Sequence, residues 1–126
     1  MKKNKIPAIL IVEDDQDLRI FYSEILMYKG FNVIGCVRNS KEGLKRFNTL
    51  LKKIDIIIID YSMCLKNGIQ IIKEFLKFDE NAKIILISAE SEIEEKAYRV
   101  GAIGFLLKSF TINELITEIN FVLNDI

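Results

Sequence analysis

Acidic residues end two of the most apolar stretches of this sequence. The run Ile56-Ile57-Ile58-Ile59 ends at Asp60, and the apolar run 8–12 ends at Glu13-Asp14. Continuous runs of this kind are typical of strands buried on both faces of a parallel sheet, and ligands bind beyond the carboxyl ends of such strands. We therefore expect Glu13, Asp14 and Asp60 to lie together at one edge of a sheet.

Three carboxylates at one edge need a source of neutralisation. Two carboxylates about 5 Å apart repel by about 3 kcal/mol at an effective dielectric constant of about 20. Three such pairs would cost roughly 10 kcal/mol, which is comparable to the stability of a whole domain. Oxygen ligands without a neighbouring histidine or thiolate favour magnesium over zinc. The alternative is that the acids point into water at a helix start, with Asp15 or Asp17 as the N-cap; we favour the metal site.

A hydroxyl and an ammonium group follow two further apolar runs. Ser88 ends the run 84–87, and Lys108 follows the run 104–107. Each alone would be unremarkable, Ser88 as a residue leading into a helix and Lys108 as a solvated surface lysine. Together with the acids they are the groups needed to make an aspartate a phosphoryl acceptor. Asp60 would be the nucleophile, magnesium and Lys108 would neutralise phosphoryl oxygens, and Ser88 would hydrogen-bond one of them.

The elements that must position these residues alternate strictly. Five strand-helix units with short connections predict right-handed crossovers and a parallel sheet in a single doubly wound α/β domain. The predicted strands cover residues 8–13, 31–37, 55–60, 83–88 and 104–107.

Local signals predict where the helices begin, where they end and which face they bury. Gly30 closes the first helix, Asn39 or Ser40 caps the second, and Gly68 opens the third. Capping boxes at Ser91/Glu94 and Thr111/Glu114 begin the fourth and fifth. The inward faces are predicted from apolar residues at helical spacing: Leu18, Phe21, Tyr22, Ile25 and Leu26, then Leu44, Phe47 and Leu51, then Ile69, Ile72, Phe75 and Leu76, and finally Ile112, Leu115, Ile116, Ile119 and Leu123.

Length and composition indicate one domain and exclude several classes of protein. A chain of 126 residues is the size of one domain, and 18 basic residues balance 18 acidic ones, which argues against direct nucleic-acid binding. Cys36 and Cys64 have no metal or redox spacing, as expected in a reducing cytosol, and Cys36 is predicted to pack within a strand. No stretch is long enough to cross a membrane. We expect a cytoplasmic protein with a flexible tail at residues 1–6.

These residues together resemble the receiver domain of bacterial two-component response regulators, over nearly the whole chain. The matching residues are Glu13-Asp14, Asp60, Gly68, Ser88-Ala89, Gly101-Ala102, Phe105 and Lys108. The resemblance implies a chemotaxis-regulator-like, flavodoxin-like (βα)5 fold with a five-stranded parallel sheet in the order 2-1-3-4-5, and residues 1–126 as a single receiver domain.

The resemblance also implies a role for each site residue. A histidine kinase or phosphotransfer protein would phosphorylate Asp60. Mg²⁺ would be bound by Asp14 and Asp60 directly, by Glu13 through water and by the backbone carbonyl of Ser62. Lys108 would pair with the phosphoryl group.

Phosphorylation would then act through a switch. Ser88 would swing toward the phosphoryl oxygen, Phe105 would turn inward, and the face of the fourth helix, fifth strand and fifth helix would change its partners. These would be a downstream effector, an output domain outside this sequence, or a second copy in a homodimer. The resemblance also implies that Ser62 and Glu90 occupy positions that tune the lifetime of the phosphoryl group.

Three positions depart from the family pattern. Cys64 stands where a proline is usual, so a looser loop is expected. Ser109 follows Lys108 where the family usually has a cis-proline, which leaves open whether this bond is cis and where Lys108 is directed. Phe105 lacks a phenol hydroxyl, so an inward ring would be held by packing alone.

A phosphoacceptor switch would catalyse only its own phosphorylation and dephosphorylation. Two other functions are alternatives to it. A pseudo-receiver would keep the fold as a protein-binding module without being phosphorylated. The full set of acids with Ser88 and Lys108 argues against it, while Ser109 leaves it open. A magnesium-dependent phosphohydrolase would generally need a second acid two residues beyond its nucleophile, where Ser62 stands.

Overall fold

Five parallel strands form one sheet with helices on both of its faces. The computed structural model describes residues 6–50, 54–60 and 68–124. The strands are β1 (Ala8–Val12), β2 (Asn32–Val37), β3 (Ile56–Asp60), β4 (Ile84–Ser88) and β5 (Gly104–Leu107). Their order in the sheet is β2-β1-β3-β4-β5, which confirms the predicted doubly wound topology. The predicted strand limits differ from these bounds by one residue at most.

The helices alternate with the strands, as predicted. They are α1 (Gln16–Tyr28), α2 (Ser40–Leu50), α3 (Gly68–Phe78), α4 (Glu94–Arg99) and α5 (Ile112–Leu123), and a 3₁₀ turn over Ser91–Ile93 precedes α4. Within the described ranges, no helix has the length and apolar character needed to cross a membrane.

The strand register brings the predicted site residues to one edge. Val12 pairs with Ile59, so Glu13 follows β1 beside the end of β3 at Asp60. Ser88 pairs with Leu107, so the last residues of β4 and β5 are also aligned. Since parallel strands run in one direction, all these tips lie at the carboxyl edge of the sheet.

Two apolar layers hold the sheet. One layer lies between the sheet and the α2, α3 and α4 side, with Phe47, Phe75 and Phe105 among its members. The other lies on the α1 and α5 side and includes Tyr22, Leu26 and Ile119. β1, β3 and β4 are buried at every position, as their continuous apolar runs predicted.

The predicted faces of the helices are mostly correct. In α1, Tyr22 and Leu26 are buried, but Phe21 is 46% exposed, so its predicted place in the core is wrong. A helix that packs on a sheet buries only a limited stripe of its surface, and Phe21 lies beside the buried stripe of α1. Of the remaining helix residues, Leu51 lies outside the described residues.

The predicted helix caps are correct at α5 and α2, wrong at α4 and one residue off at the end of α1. Thr111 and Glu114 form the expected capping box at the start of α5. The box predicted at Ser91 and Glu94 is wrong, because Ser91 is already inside the 3₁₀ turn, whose N-cap is Glu90, and α4 begins without a side-chain cap.

At α2, Asn39 Oδ1 accepts a hydrogen bond from the backbone N–H of Glu42 at 2.9 Å, which confirms Asn39 as a capping residue. At the end of α1, Lys29 is the C-cap and Gly30 follows with a φ of 97°, a conformation that favours glycine.

Candidate functional site

The Asp60 carboxylate is buried at the end of β3 and is held from two sides. Its side chain is 1% exposed, and its Oδ1 lies 2.9 Å from the Nζ of Lys108. The phenol hydroxyl of Tyr22, on α1, donates a hydrogen bond to Oδ2 at 3.0 Å. A buried charge needs such partners. The carboxylate is therefore compensated by an ammonium group from beyond β5 and by a phenol from α1.

Glu13 lies beside Asp60 and is also buried, with 1% of its surface exposed. Its Oε2 accepts a hydrogen bond from the backbone N–H of Asp15 at 2.9 Å. Burial, with the neighbouring carboxyls of Asp60 and Asp14, raises the pKa of Glu13 from 4.5 to about 9 against the lowering effect of the Asp15 N–H. In the absence of a cation, Glu13 therefore keeps a proton at neutral pH.

The turn after β1 is fixed by an arginine of α1. Arg19 donates hydrogen bonds from one guanidinium nitrogen to the carbonyl oxygens of Glu13 at 2.9 Å and Asp14 at 3.1 Å. Asp15 caps α1 by accepting from the backbone N–H of Leu18 at 3.2 Å. The alternative role for Asp15 as a cap is thus correct, and it coexists with the clustering of Glu13 and Asp60.

The residues at this edge fit a hard divalent cation. Glu13 Oε1 is buried and finds no hydrogen-bond donor in the described part of the chain, and the donor set of Glu13, Asp14 and Asp60 consists of oxygens, as magnesium prefers. A complete cage is not assembled by side chains alone: among residues 6–50, 54–60 and 68–124, no three acidic, cysteine or histidine side chains have metal-site geometry. Asp14 is exposed, and Ser62, the fourth predicted ligand, lies outside the described residues.

Ser88 joins the ends of β4 and β5. Its hydroxyl accepts a hydrogen bond from the backbone N–H of Glu90 at 2.9 Å and is 3.4 Å from the Glu90 carbonyl oxygen. Its own carbonyl oxygen accepts from the backbone N–H of Lys108 at 2.8 Å. The fully buried hydroxyl therefore faces the loop between β4 and α4, while its main chain supports the residue that carries the ammonium group.

Phe105 is buried in the core next to α4. The residue is 8% exposed and packs in the same layer as Ala97 and Ala102. Its backbone N–H, on the edge strand β5, donates a hydrogen bond to Glu118 Oε2 of α5 at 3.1 Å. A Cβ atom on Gly104 would lie 2.8 Å from that oxygen, so the glycine permits the carboxylate to approach the strand.

The structure shows the conformation of the Lys108-Ser109 bond, one of the departures from the receiver-domain pattern. The peptide bond between Lys108 and Ser109 is cis, and Lys108 is directed at Asp60. Cys64 lies outside the described residues. Cys36 is half-buried in β2, and its thiol donates to the Arg19 carbonyl oxygen at 3.4 Å, so it packs as predicted.

Comparison with known proteins assigns the family. Residues 9–120 match the sequence profile of the response regulator receiver domain. The chain belongs to this family. As a receiver domain of the kind found in two-component systems, it is a signalling protein rather than a conventional enzyme.

Curated relatives of this receiver domain include single-domain and larger proteins. It is 34% identical to the chemotaxis protein CheY of Thermotoga maritima over 116 residues, which cover 90% of this chain and 95% of that protein. It is 32% identical to the transcriptional regulatory protein CpxR of Escherichia coli over 116 residues, 91% of this chain but 48% of CpxR.

Solved structures agree with the fold of this receiver domain. CheY from Borrelia burgdorferi, in a complex with CheX, BeF3 and Mg²⁺, superposes with a TM-score of 0.90 at 24% identity, covering 99% of this chain and 96% of that chain. Response regulator TrrA of Thermotoga maritima, in complex with Mg²⁺-BeF, gives a TM-score of 0.80 at 28% identity, covering 93% of this chain and 99% of that chain.

Two residues that contact the site were missed by reasoning from the sequence. Tyr22 was predicted only as a core residue of α1, and no role was predicted for Arg19. A signal did exist for Tyr22: a phenol on the inward face of the helix that follows the acidic turn needs a polar partner when buried. The receiver domain thus has a second contact to Asp60 besides the predicted Lys108.

Proposed function

We propose that this receiver domain, taken as residues 1–126, is a phosphoacceptor switch in which Asp60 receives a phosphoryl group from a histidine kinase or phosphotransfer protein. The observation that carries the proposal is the 2.9 Å contact between Lys108 Nζ and Oδ1 of the buried Asp60. An ammonium group at this distance can neutralise charge on a phosphoryl group attached to that aspartate. The resulting chemistry is transfer to the protein's own side chain, with no other substrate turned over.

In the transfer step, one Asp60 oxygen forms a bond to phosphorus while the bond from phosphorus to the donor's histidine nitrogen breaks. The electron pair of the broken bond stays on that nitrogen, which accounts for the leaving group. Lys108 provides positive charge beside the attacked group, and the buried setting strengthens that interaction. Lys108 and Tyr22 contact the two oxygens of the Asp60 carboxylate and so orient it for the attack.

Mg²⁺ would be held by Asp14 and Asp60 directly, by Glu13 through water and by the backbone carbonyl of Ser62. When bound, it supplies neutralisation of the phosphoryl oxygens. The orphaned Oε1 of Glu13 supports this assignment, and so does the oxygen-only donor set. Glu13 must release its proton when a cation arrives, since its pKa of about 9 belongs to the cation-free protein.

The proposed switch begins at Ser88. Its hydroxyl exchanges its contacts with Glu90 for a phosphoryl oxygen, so the loop between β4 and α4 is released. Phe105 is already buried, so the predicted inward turn of its ring is replaced by a shift of its packing against α4. Tyr98 and Leu107, each 43% exposed, lie on the α4-β5-α5 face that would bind an effector or a second copy. Ser62 and Glu90 would tune how long the phosphoryl group lasts.

A phosphorylation assay tests this proposal. We expect a small phosphodonor such as acetyl phosphate, with Mg²⁺, to give a mass adduct of one phosphoryl group on Asp60. Asp60→Asn should show no adduct, whereas Asp17→Asn, at an exposed position in the first turn of α1, should react like the wild type. If the wild type gives no adduct from either acetyl phosphate or a phosphorylated histidine kinase, the phosphoacceptor proposal fails and the protein-binding module is favoured.

A further inference from the structure

Tyr22 and Lys108 contact different oxygens of the Asp60 carboxylate. The Tyr22 hydroxyl donates to Asp60 Oδ2 at 3.0 Å, while Lys108 Nζ lies 2.9 Å from Oδ1. The two carboxylate oxygens therefore have different partners. Tyr22 belongs to α1, which follows the acidic turn after β1, whereas Lys108 follows β5. Oδ2 is thus contacted from the helix that follows Glu13 and Asp14 in the chain.

A divalent cation would bind the same oxygen. The ammonium group of Lys108 repels a second positive charge at Oδ1, so the cation is expected at Oδ2. The neighbouring carboxyl of Glu13, with its buried and orphaned Oε1, lies close to Asp60 and favours the same side. Tyr22 and the cation are consequently directed at one oxygen.

The hydrogen bond from the Tyr22 hydroxyl to Oδ2 is disfavoured when a cation binds the same oxygen. Tyr22 is 4% exposed and packs in the core layer with Leu26, so its ring cannot leave the site. A cation at Oδ2 repels the partial positive charge of the phenol proton and draws electron density from the oxygen that accepts the hydrogen bond. The hydrogen bond from Tyr22 to Asp60 is therefore weakened on cation binding.

We propose that Tyr22 is a positioning residue that holds Asp60 Oδ2 in the cation-free protein and competes with the divalent cation for that oxygen. This inference rests on the proposed function. Tyr22 thereby keeps the buried carboxylate compensated before the cation arrives, and it raises the concentration of cation needed to prepare Asp60 for phosphorylation.

The matched variants are Tyr22→Phe and Tyr28→Phe. Both remove one phenol hydroxyl from α1, but Tyr28 is 82% exposed and therefore serves as the control. Mg²⁺ binding is measured directly by calorimetry on the whole chain. We expect Tyr22→Phe to bind Mg²⁺ about tenfold more tightly, because no phenol proton then competes with the cation for Oδ2, and Tyr28→Phe to match the wild type.

Unfolding by urea gives a second readout that does not depend on activity. Tyr22→Phe should have a lower unfolding midpoint than the wild type in chelator, and the difference should shrink in saturating Mg²⁺. If the wild type binds Mg²⁺ and Tyr22→Phe binds it equally or more weakly, competition is excluded while the metal site stands. If the wild type does not bind Mg²⁺, both the metal site and this inference are overturned, and phosphorylation of Asp60 is then judged by its own assay.

Discussion

The backbone N–H of Lys108 donates a hydrogen bond to the carbonyl oxygen of Ser88 over 2.8 Å. This bond joins the ends of β4 and β5 through the two residues that are proposed to contact the phosphoryl group. The Ser88 side chain meanwhile bonds to Glu90 in the next loop. A change at the Ser88 hydroxyl can therefore alter the loop before α4 while the main chain that carries Lys108 stays in place.

Ser88→Ala is expected to separate phosphorylation from the response to it. The variant should still form the Asp60 adduct, but the amide shifts of α4 and β5 on addition of beryllofluoride and Mg²⁺ should be largely lost. Ser88→Thr, which keeps a hydroxyl, should restore them. The measurement is a heteronuclear NMR titration. A full response in Ser88→Ala would contradict a role for this hydroxyl in the switch.

Removing the Lys108 ammonium should destabilise the protein through Asp60. Lys108→Met is expected to lower the free energy of unfolding by about 2 kcal/mol at neutral pH, because it leaves a buried carboxylate without its cationic partner. Lys96→Met, at an exposed position on α4, should change it by less than about 0.5 kcal/mol. In an Asp60→Asn background the cost of Lys108→Met should fall markedly. Urea unfolding in chelator measures all four variants, and equal costs in both backgrounds would refute the coupling.

Because folding raises the pKa of Glu13, the cation-free protein should become less stable as the pH rises. Its pKa is raised from 4.5 to about 9 on folding, so between these values the unfolded chain releases a proton that the folded protein keeps. The folded state binds more protons, and stability therefore falls with increasing pH across this window. Glu13→Gln should flatten the slope of unfolding free energy against pH, measured in chelator. An unchanged slope would show that Glu13 is not the group responsible.

Glu118 should protect the edge strand at Phe105. Glu118→Ala removes the acceptor of the Phe105 backbone N–H, so hydrogen exchange at that amide should accelerate by about fivefold, the equivalent of about 1 kcal/mol. Glu118→Gln keeps an acceptor oxygen and should preserve protection, and Thr117→Ala, an exposed change on the same helix, should have no effect. Exchange is followed by NMR at the Phe105 amide. Unaltered protection in Glu118→Ala would mean that the contact does not close the strand edge.

The sequence pattern was sufficient for the doubly wound α/β architecture and most of the site, whereas the strand order was expected only from the resemblance to receiver domains. The β-branched runs of β1, β3 and β4 can be buried only in a sheet covered on both faces, and their acidic ends then share an edge. The placement of Asp60, Glu13, Ser88 and Lys108 at one edge followed from that topology. The Thr111 capping box was also readable, since it depends on residues three apart in the chain.

Other features depended on contacts between distant segments. Ser91 has the residue type of an N-cap, yet the chain enters α4 through a 3₁₀ turn, a choice that local propensity does not determine. Phe21 and Tyr22 have similar apolar character, and only the rotation of α1 on the sheet decides which of them is buried.

By itself, the sequence determined the fold and the chemistry available at the carboxyl edge, because strand burial and residue type are encoded locally. The tertiary structure alone decided how Asp60 is shared: Lys108 takes Oδ1 and Tyr22 takes Oδ2. These partners are brought together from β5 and α1 by helix packing, and the direction of a hydrogen bond across such a distance is set by the rotation of each element on the sheet. No spacing along the chain contains that information.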